Sequence, residues 1–410
     1  MGFFNMSEGD APIFRELADR YAISDNFHQA IMGGTGANFI ALMTADAAFF
    51  NVAGVPATPF PNQIENPDPQ PGTNNFYTQD GYAGGSYVNC ADPGQPGVAA
   101  IRKYFTSLSY KPFNDGNCAG GHYYLVNNYA LGFSADGTPK PIAPTEFTLP
   151  PQQVPTIADA LSAAGVSWKY YSGGRSSGAG GTPSNEYCGI CDPLTGFTSI
   201  MTTTLKAGLQ DVAQFYQDVL DETTLPAVSF IRPPESQAGH PANSTPAAYE
   251  SFVADIVTRV QSNPAVWAKT AILVTMDEGG GYYDSGYIQT IDFFGDGTRI
   301  PLIAVSPWAR AGYVDHTYAD HASILKFIEK NWGLAPLTAR SRDNLPNPGA
   351  RPQSPYVPAN APAIGDLMSL FDFRHAPGDG ERAPGRGSPA RPPRSASLRV
   401  VATTSWRPQP

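Results

Sequence analysis

The sequence predicts an α/β fold: a mostly parallel central sheet with helices on both faces and long irregular loop insertions. Three observations carry this. Unbroken apolar runs such as AILVTM (271–276) and the core of RIPLIAVSP (299–307) lack in–out alternation, so both of their faces are buried. These runs alternate with segments whose apolar residues recur at helical spacing. Gly and Pro, 41 and 40 of 410 residues, crowd the stretches 51–99 and 109–155, which show little periodicity.

Taken in order, APIFRELADRYAI (11–23) reads as a helix, with Pro12 in its first turn and Phe14, Leu17, Ala18 and Tyr21 on one face. A second helix starts near Thr35 behind a glycine pair. GHYYLVNNYALGF (121–133) is strand-like within the loop-rich part. TIADALSAAG (156–165) is a helix stopped by Gly165, and VSWKYY (166–171) is a strand. Residues 203–220 read as one helix, and LPAVSFIRPPE (225–235) contains a buried strand. TPAAYESFVADIVTRVQ (245–261) is a helix with Thr245 as cap and Pro246 in the first turn. DHASILKFIEKNWG (320–333) is another, capped by Asp320 and ended by Gly333. Residues 1–373 form one domain, while 374–410, rich in Arg, Pro and Gly with no core pattern, reads as a disordered tail.

Charge narrows the partners. The net charge is −10, but the last 37 residues hold seven Arg and two acids, so the rest carries −15. A body this acidic has no general field for nucleic acid. No apolar run approaches the ~20 residues of a membrane-spanning helix, and MGFFNMSEGD has no signal-peptide pattern. Cys90, Cys118, Cys188 and Cys191 suit one or two disulfides in an exported protein. Cys188 and Cys191 could alternatively form a redox dithiol or half a zinc site, but CGIC sits in loop chemistry, which favours a structural role.

In parallel sheets ligands gather beyond the carboxyl ends of strands. Asp277 and Glu278 follow one such end, Glu235 and His240 another, and Ser306 a third. Two adjacent carboxylates repel each other and need either open water or a cation. Three glycines after them free the backbone, and their oxygens suit Ca, Mg or Mn, or complete a Zn or Fe site. A solvated acidic turn is the equally weighted plain reading. Thr35, in GGTGAN, sits where a glycine turn meets a helix start, a place that favours anions and activates a hydroxyl. A simple N-cap is the commoner use of such a residue. His240 lies in a polar loop and can protonate a leaving group or bind an oxyanion. His122 precedes an aromatic strand, His28 lies near the glycine turn, and His321 follows the capping Asp320, with a metal-binding Asp320–His321 pair as the lesser alternative.

MDEGGGYYDSG (276–286), FFGDGTRIPLIAVSPWARAG (293–312) and YADHASILKFIEKNWGL (318–334) together resemble the phosphoesterase family of bacterial phospholipases C and acid phosphatases, of the alkaline-phosphatase superfamily. The resemblance runs from about residue 9 to about residue 373, and Ser285 after Asp284 points toward the acid-phosphatase branch. It implies an alkaline-phosphatase-like fold and a metal-dependent hydrolase of phosphate esters, acting on a phospholipid headgroup or a small phosphomonoester through a phosphothreonine. Thr35 matches the nucleophile, Asn38 a phosphate-side residue, Asp277 and Glu278 the divalent-metal ligands, His240 an active-site histidine and His122 a weaker one. Export to the periplasm or medium is also implied. The chain departs from the family in two respects: a first strand carrying a Glu-Asn pair that completes the metal site is missing, with Glu65–Asn66, in a proline-rich loop, not replacing it, and the Arg, Pro and Gly-rich tail from Arg374 follows the FDF ending. This leaves a second expectation, an impaired member that binds phosphate or headgroup without turnover.

Overall fold

The computed structural model describes residues 8–70, 76, 85–280, 284, 286–349, 362–374 and 399–403, with 401–403 as backbone only. Eight strands make the main sheet: β1 (Ala22–Ser24), β2 (Trp168–Ser172), β3 (Leu209–Gln210), β4 (Val228–Arg232), β5 (Thr270–Thr275), β6 (Leu302–Val305), β7 (Tyr313–Asp315) and β8 (Arg399–Thr403). Their spatial order is β3-β2-β4-β8-β5-β6-β1-β7. Every neighbouring pair is parallel except those involving β6, which runs against both β5 and β1.

Helices cover both faces, as the apolar strands require. On one face α2 (Thr35–Thr44), α3 (Ile157–Ala163) and α6 (His321–Trp332) bury Phe39, Leu42, Leu161, Ile324 and Phe327 against Phe230 and Leu273. On the other, α1 (Pro12–Arg20), α4 (Val212–Asp218) and α5 (Pro246–Ser262) pack Phe14, Phe215 and Phe252 on Ile231 and Ile272. All ten residues of α2 are buried, which explains why its sequence is apolar all round rather than amphipathic. The expected caps form: Thr245 accepts from the Ala248 N–H, Asp320 from the Ala322 N–H, and Gly333 ends α6 in the left-handed region. Two disulfides are present, Cys90–Cys118 and Cys188–Cys191.

Three sequence expectations are corrected. Residues 203–220 are not one helix but a 3-10 turn (Thr204–Gly208), β3 and α4. Gly208 sits where a Cβ would meet the Trp168 ring at 2.7 Å, and Asp211 supplies a fresh cap by accepting from the Ala213 N–H. Ser306 does not share the carboxyl edge with Asp277, because β6 is antiparallel. Its hydroxyl donates to the carbonyl of Thr270, at the opposite end of β5.

The third correction concerns the tail. Arg399–Thr403 is the central strand, pairing Val228 with Val400 on one side and Ala271 with Val400 on the other. RVVAT is the one apolar, β-branched run after residue 374, and a strand flanked on both sides needs that composition. The position between β4 and β5, where a strand seemed missing, is therefore filled from the far end of the chain. Residues 375–398 and 404–410 lie outside the described part.

Candidate active site

Strands β4, β8 and β5 are parallel, so their carboxyl ends open on one edge. Asp277 and Glu278 leave β5 there and are 1% and 4% exposed, so the solvated acidic turn is ruled out. Glu278 Oε2 accepts the Gly280 N–H, with Gly280 at φ 58°. Gly279 is required by a close approach: a Cβ there would lie 2.2 Å from Thr298 Oγ1.

Thr35 is the first residue of α2, with Gly34 in the cap position, so its hydroxyl is not the N-cap. The turn before it is fixed from several sides. Asn38 Oδ1 accepts the Ile31 N–H at 2.8 Å, and Asn38 Nδ2 donates to the carbonyls of Ile31, Gly33 and Gly34 at 3.0, 3.0 and 3.2 Å. The Asn38 amide is thus spent on shaping the turn that presents Thr35. Asn128 Oδ1 accepts the Gly36 N–H at 2.7 Å, satisfying one open donor of the helix start.

Two side chains tie this turn to the acids. Gln29 Oε1 accepts the Gly279 N–H at 2.8 Å, while its Nε2 donates to Ile31 O at 2.8 Å and Gly33 O at 3.4 Å. His321 Nδ1 accepts the Ala30 N–H at 3.3 Å, and its Nε2–H donates to Met276 O at 2.8 Å. Burial pushes the His321 pKa down to about 4, so the ring is neutral, and both nitrogens hold backbone rather than metal. Behind them Arg342 donates to Ala30 O and forks onto Asp292 at 3.0 and 2.8 Å, with Asp296 and Asp320 close by. All four are at most 1% exposed, and burial raises the Asp296 and Asp320 carboxyls above the usual range.

The remaining histidines divide. His28 bonds Gly297 O and Asn26 Oδ1, stacks on Tyr318 at 4.4 Å and is pushed by burial to about 4; it positions the loop. His240 is buried and lines a cavity of about 340 Å³ with Lys140, Tyr187, Ile190, Glu235 and Asn243. Its Nδ1 accepts the Ala242 N–H, which leaves the ring proton on Nε2. The wall residues Gly189–Cys191 pack against α2, so this cavity adjoins the helix that carries Thr35. His122 contacts Gly120 O and the rings of Phe49 and Tyr124. Cys188, Cys191 and Glu235 come within metal-binding distance of one another, but the disulfide removes both thiolates.

Sequence reasoning missed Gln29, Arg342 and Asp292. A polar residue in a loop becomes a bridge only through partners some 250 residues away, and no local pattern announces it.

A three-layer α/β domain that brings a threonine turn and two buried carboxylates to one edge of a parallel sheet is the class defined by fold and site. The chain belongs to the Phosphoesterase family, whose model matches residues 1–335. It is 32% identical over 269 residues to the hemolytic phospholipase C of Pseudomonas aeruginosa, covering 56% of this chain and 34% of that protein. Identity to phospholipase C B of Mycobacterium tuberculosis is 27% over 300 residues, covering 67% and 53%. To an acid phosphatase of Aspergillus niger it is 27% over 204 residues, covering 47% and 45%. The chain spans about a third to a half of the length of these relatives. Ser285, which suggested the acid-phosphatase branch, lies outside the described residues.

Proposed function

We propose that the protein hydrolyses phosphate esters through Thr35. The observation that carries this is the double bridge, Gln29 and His321, binding the Thr35 turn to the segment that bears Asp277 and Glu278. The donor set, two buried carboxylates on the segment that Gln29 and His321 tie to the Thr35 turn, fits a hard divalent cation, and Asp277 and Glu278 would hold it. Such an ion, when bound, polarises a phosphoryl oxygen and lowers the pKa of the threonine hydroxyl.

Thr35 Oγ1 bonds to phosphorus as the bond from phosphorus to the ester oxygen breaks, and the proton lost by the Thr35 hydroxyl ends on that oxygen, which leaves as the alcohol. The α2 N-terminus turns the positive end of its helix dipole toward the phosphoryl oxygens. His240 holds its proton on Nε2 and donates it as a hydrogen bond to the departing oxygen. Water then releases phosphate from phosphothreonine. Neither Asn38, whose amide shapes the turn, nor His122 is needed as a reacting group. The two disulfides fit a periplasmic or secreted protein.

The test is hydrolysis of p-nitrophenyl phosphate and of a phosphodiester, with chelator and with added Mg, Ca, Mn, Zn or Fe. Thr35→Ala is expected to lower kcat on the order of 10³-fold or more, and equal rates in the two proteins would remove the nucleophile. One observation favours a second reading, an impaired binder: the central strand β8, Arg399–Thr403, carries no carboxylate to complete a metal site. That reading requires inorganic phosphate to bind while both esters stay intact at every metal concentration.

A further inference from the structure

We propose that the cavity beside His240 is a subsite for a second anionic group on the leaving alcohol, a phosphate or carboxylate held by Arg232 and Lys140. This rests on the phosphate-ester reading and specifies its substrate class. Arg232 ends β4 and is 2% exposed. It follows Val228 and Phe230 on the sheet face that α2 covers, the same face as the cavity wall. Its Nη2 donates to Glu235 Oε1 at 2.9 Å, but no acceptor among the described residues reaches its Nε or Nη1. Buried guanidinium donors left without acceptors are costly and so point to an acceptor supplied from outside the chain.

The rest of the cavity agrees. Both oxygens of Glu235 are engaged, one by Arg232 and the other by Asn243 Nδ2 at 2.6 Å, so this carboxylate orients the guanidinium. The Lys140 side chain lines the cavity and forms no ion pair with a described carboxylate. Two cations against one carboxylate leave the subsite net positive, which selects for an anionic leaving group and against a cationic headgroup. Tyr187 and Ile190 offer an apolar wall, and about 340 Å³ suits a leaving group the size of a small sugar or glycerol.

The experiment uses the full-length Thr35→Ala protein, so that binding is read without turnover, by calorimetry. The probes are fructose 1,6-bisphosphate and 3-phosphoglycerate, with fructose 6-phosphate and glycerol 2-phosphate as the partners lacking the second anion. At least one doubly anionic probe is expected to bind tenfold or more tighter than its partner, and which one does so tells phosphate from carboxylate. Lys140→Gln, in a loop, and Arg232→Lys, which keeps the charge while losing the fork, should each cut that preference at least threefold. Equal affinities within both pairs, or a preference unchanged in both variants, would overturn the subsite. Turnover of esters by wild type is scored separately: its absence removes the hydrolase reading while the binding preference still decides the subsite.

Discussion

The carboxyl edge of the sheet holds two regions built in opposite ways. Around Thr35 the side chains Gln29, Asn38, His321 and Arg342 are committed to the backbone of the Thr35 turn, to the segment bearing the acids and to Asp292, with donors matched to acceptors. Around His240 the buried Arg232 keeps two donors that no described residue accepts, beside a cavity of about 340 Å³. The first region spends its polar groups on shape and the second keeps them for a ligand. Substitutions in the first should therefore act on stability and kcat together, and those in the second on KM and substrate preference.

The strongest break of this contrast is Gly33→Ala. A Cβ there would sit 1.7 Å from the backbone oxygen of Val126, which has no rotamer to yield. The expected cost is about 3 kcal/mol of stability with loss of activity, read from urea midpoints and p-nitrophenyl phosphate turnover. A stable, active variant would show that the turn is not tightly specified.

Next is acid. His28 and His321 both sit near 4 in the fold, against 6.5 unfolded, because burial penalises the charged ring. Their contribution is fully present above pH 6.5 and is lost as pH falls from 6.5 through 4, the unfolded chain taking up the protons first. Each is worth at most about 3 kcal/mol. Urea midpoints at pH 7, 5.5 and 4 should fall in that order, and His28→Asn should flatten the fall. The low pKa of His321 keeps the bridge from Met276 to Ala30 intact in mildly acidic solution.

Gln29→Ala removes the direct tie between the acid segment and the Thr35 turn. It should cost about 1–2 kcal/mol and lower kcat more than it raises KM; a pure KM effect would move Gln29 into the ligand-binding region. The smallest effect is the control. Asn263→Ala, which uncaps the short helix Pro264–Trp267 just before β5, at the edge of the sheet opposite both regions, should cost about 1 kcal/mol and leave kcat/KM unchanged.

Helix starts with a local chemical mark were legible, as at Thr245–Pro246 and Asp320, and so were the apolar strands that end at the site. Asp277, Glu278 and Thr35 stood out because glycines and a strand end flag them in sequence. Their supporting residues did not: Arg342 reaches Ala30 across 312 residues, and nothing near SRDNL marks that partner. Periodicity also misled over 203–220, where apolar spacing continued through Gly208 but the contact with Trp168 ended the turn. The tail was dismissed on composition averaged over 37 residues, whereas a strand needs only the five of RVVAT.

That five-residue strand has a consequence for the order in which the molecule is made. During synthesis β4 and β5 emerge well before Arg399, yet they meet each other only through it. Until Arg399–Thr403 has been made, the two halves of the sheet present unsatisfied inner edges, open to capture by other strands. Assembly of the main sheet is therefore tied to the synthesis of Arg399–Thr403 rather than to that of the strands beside it.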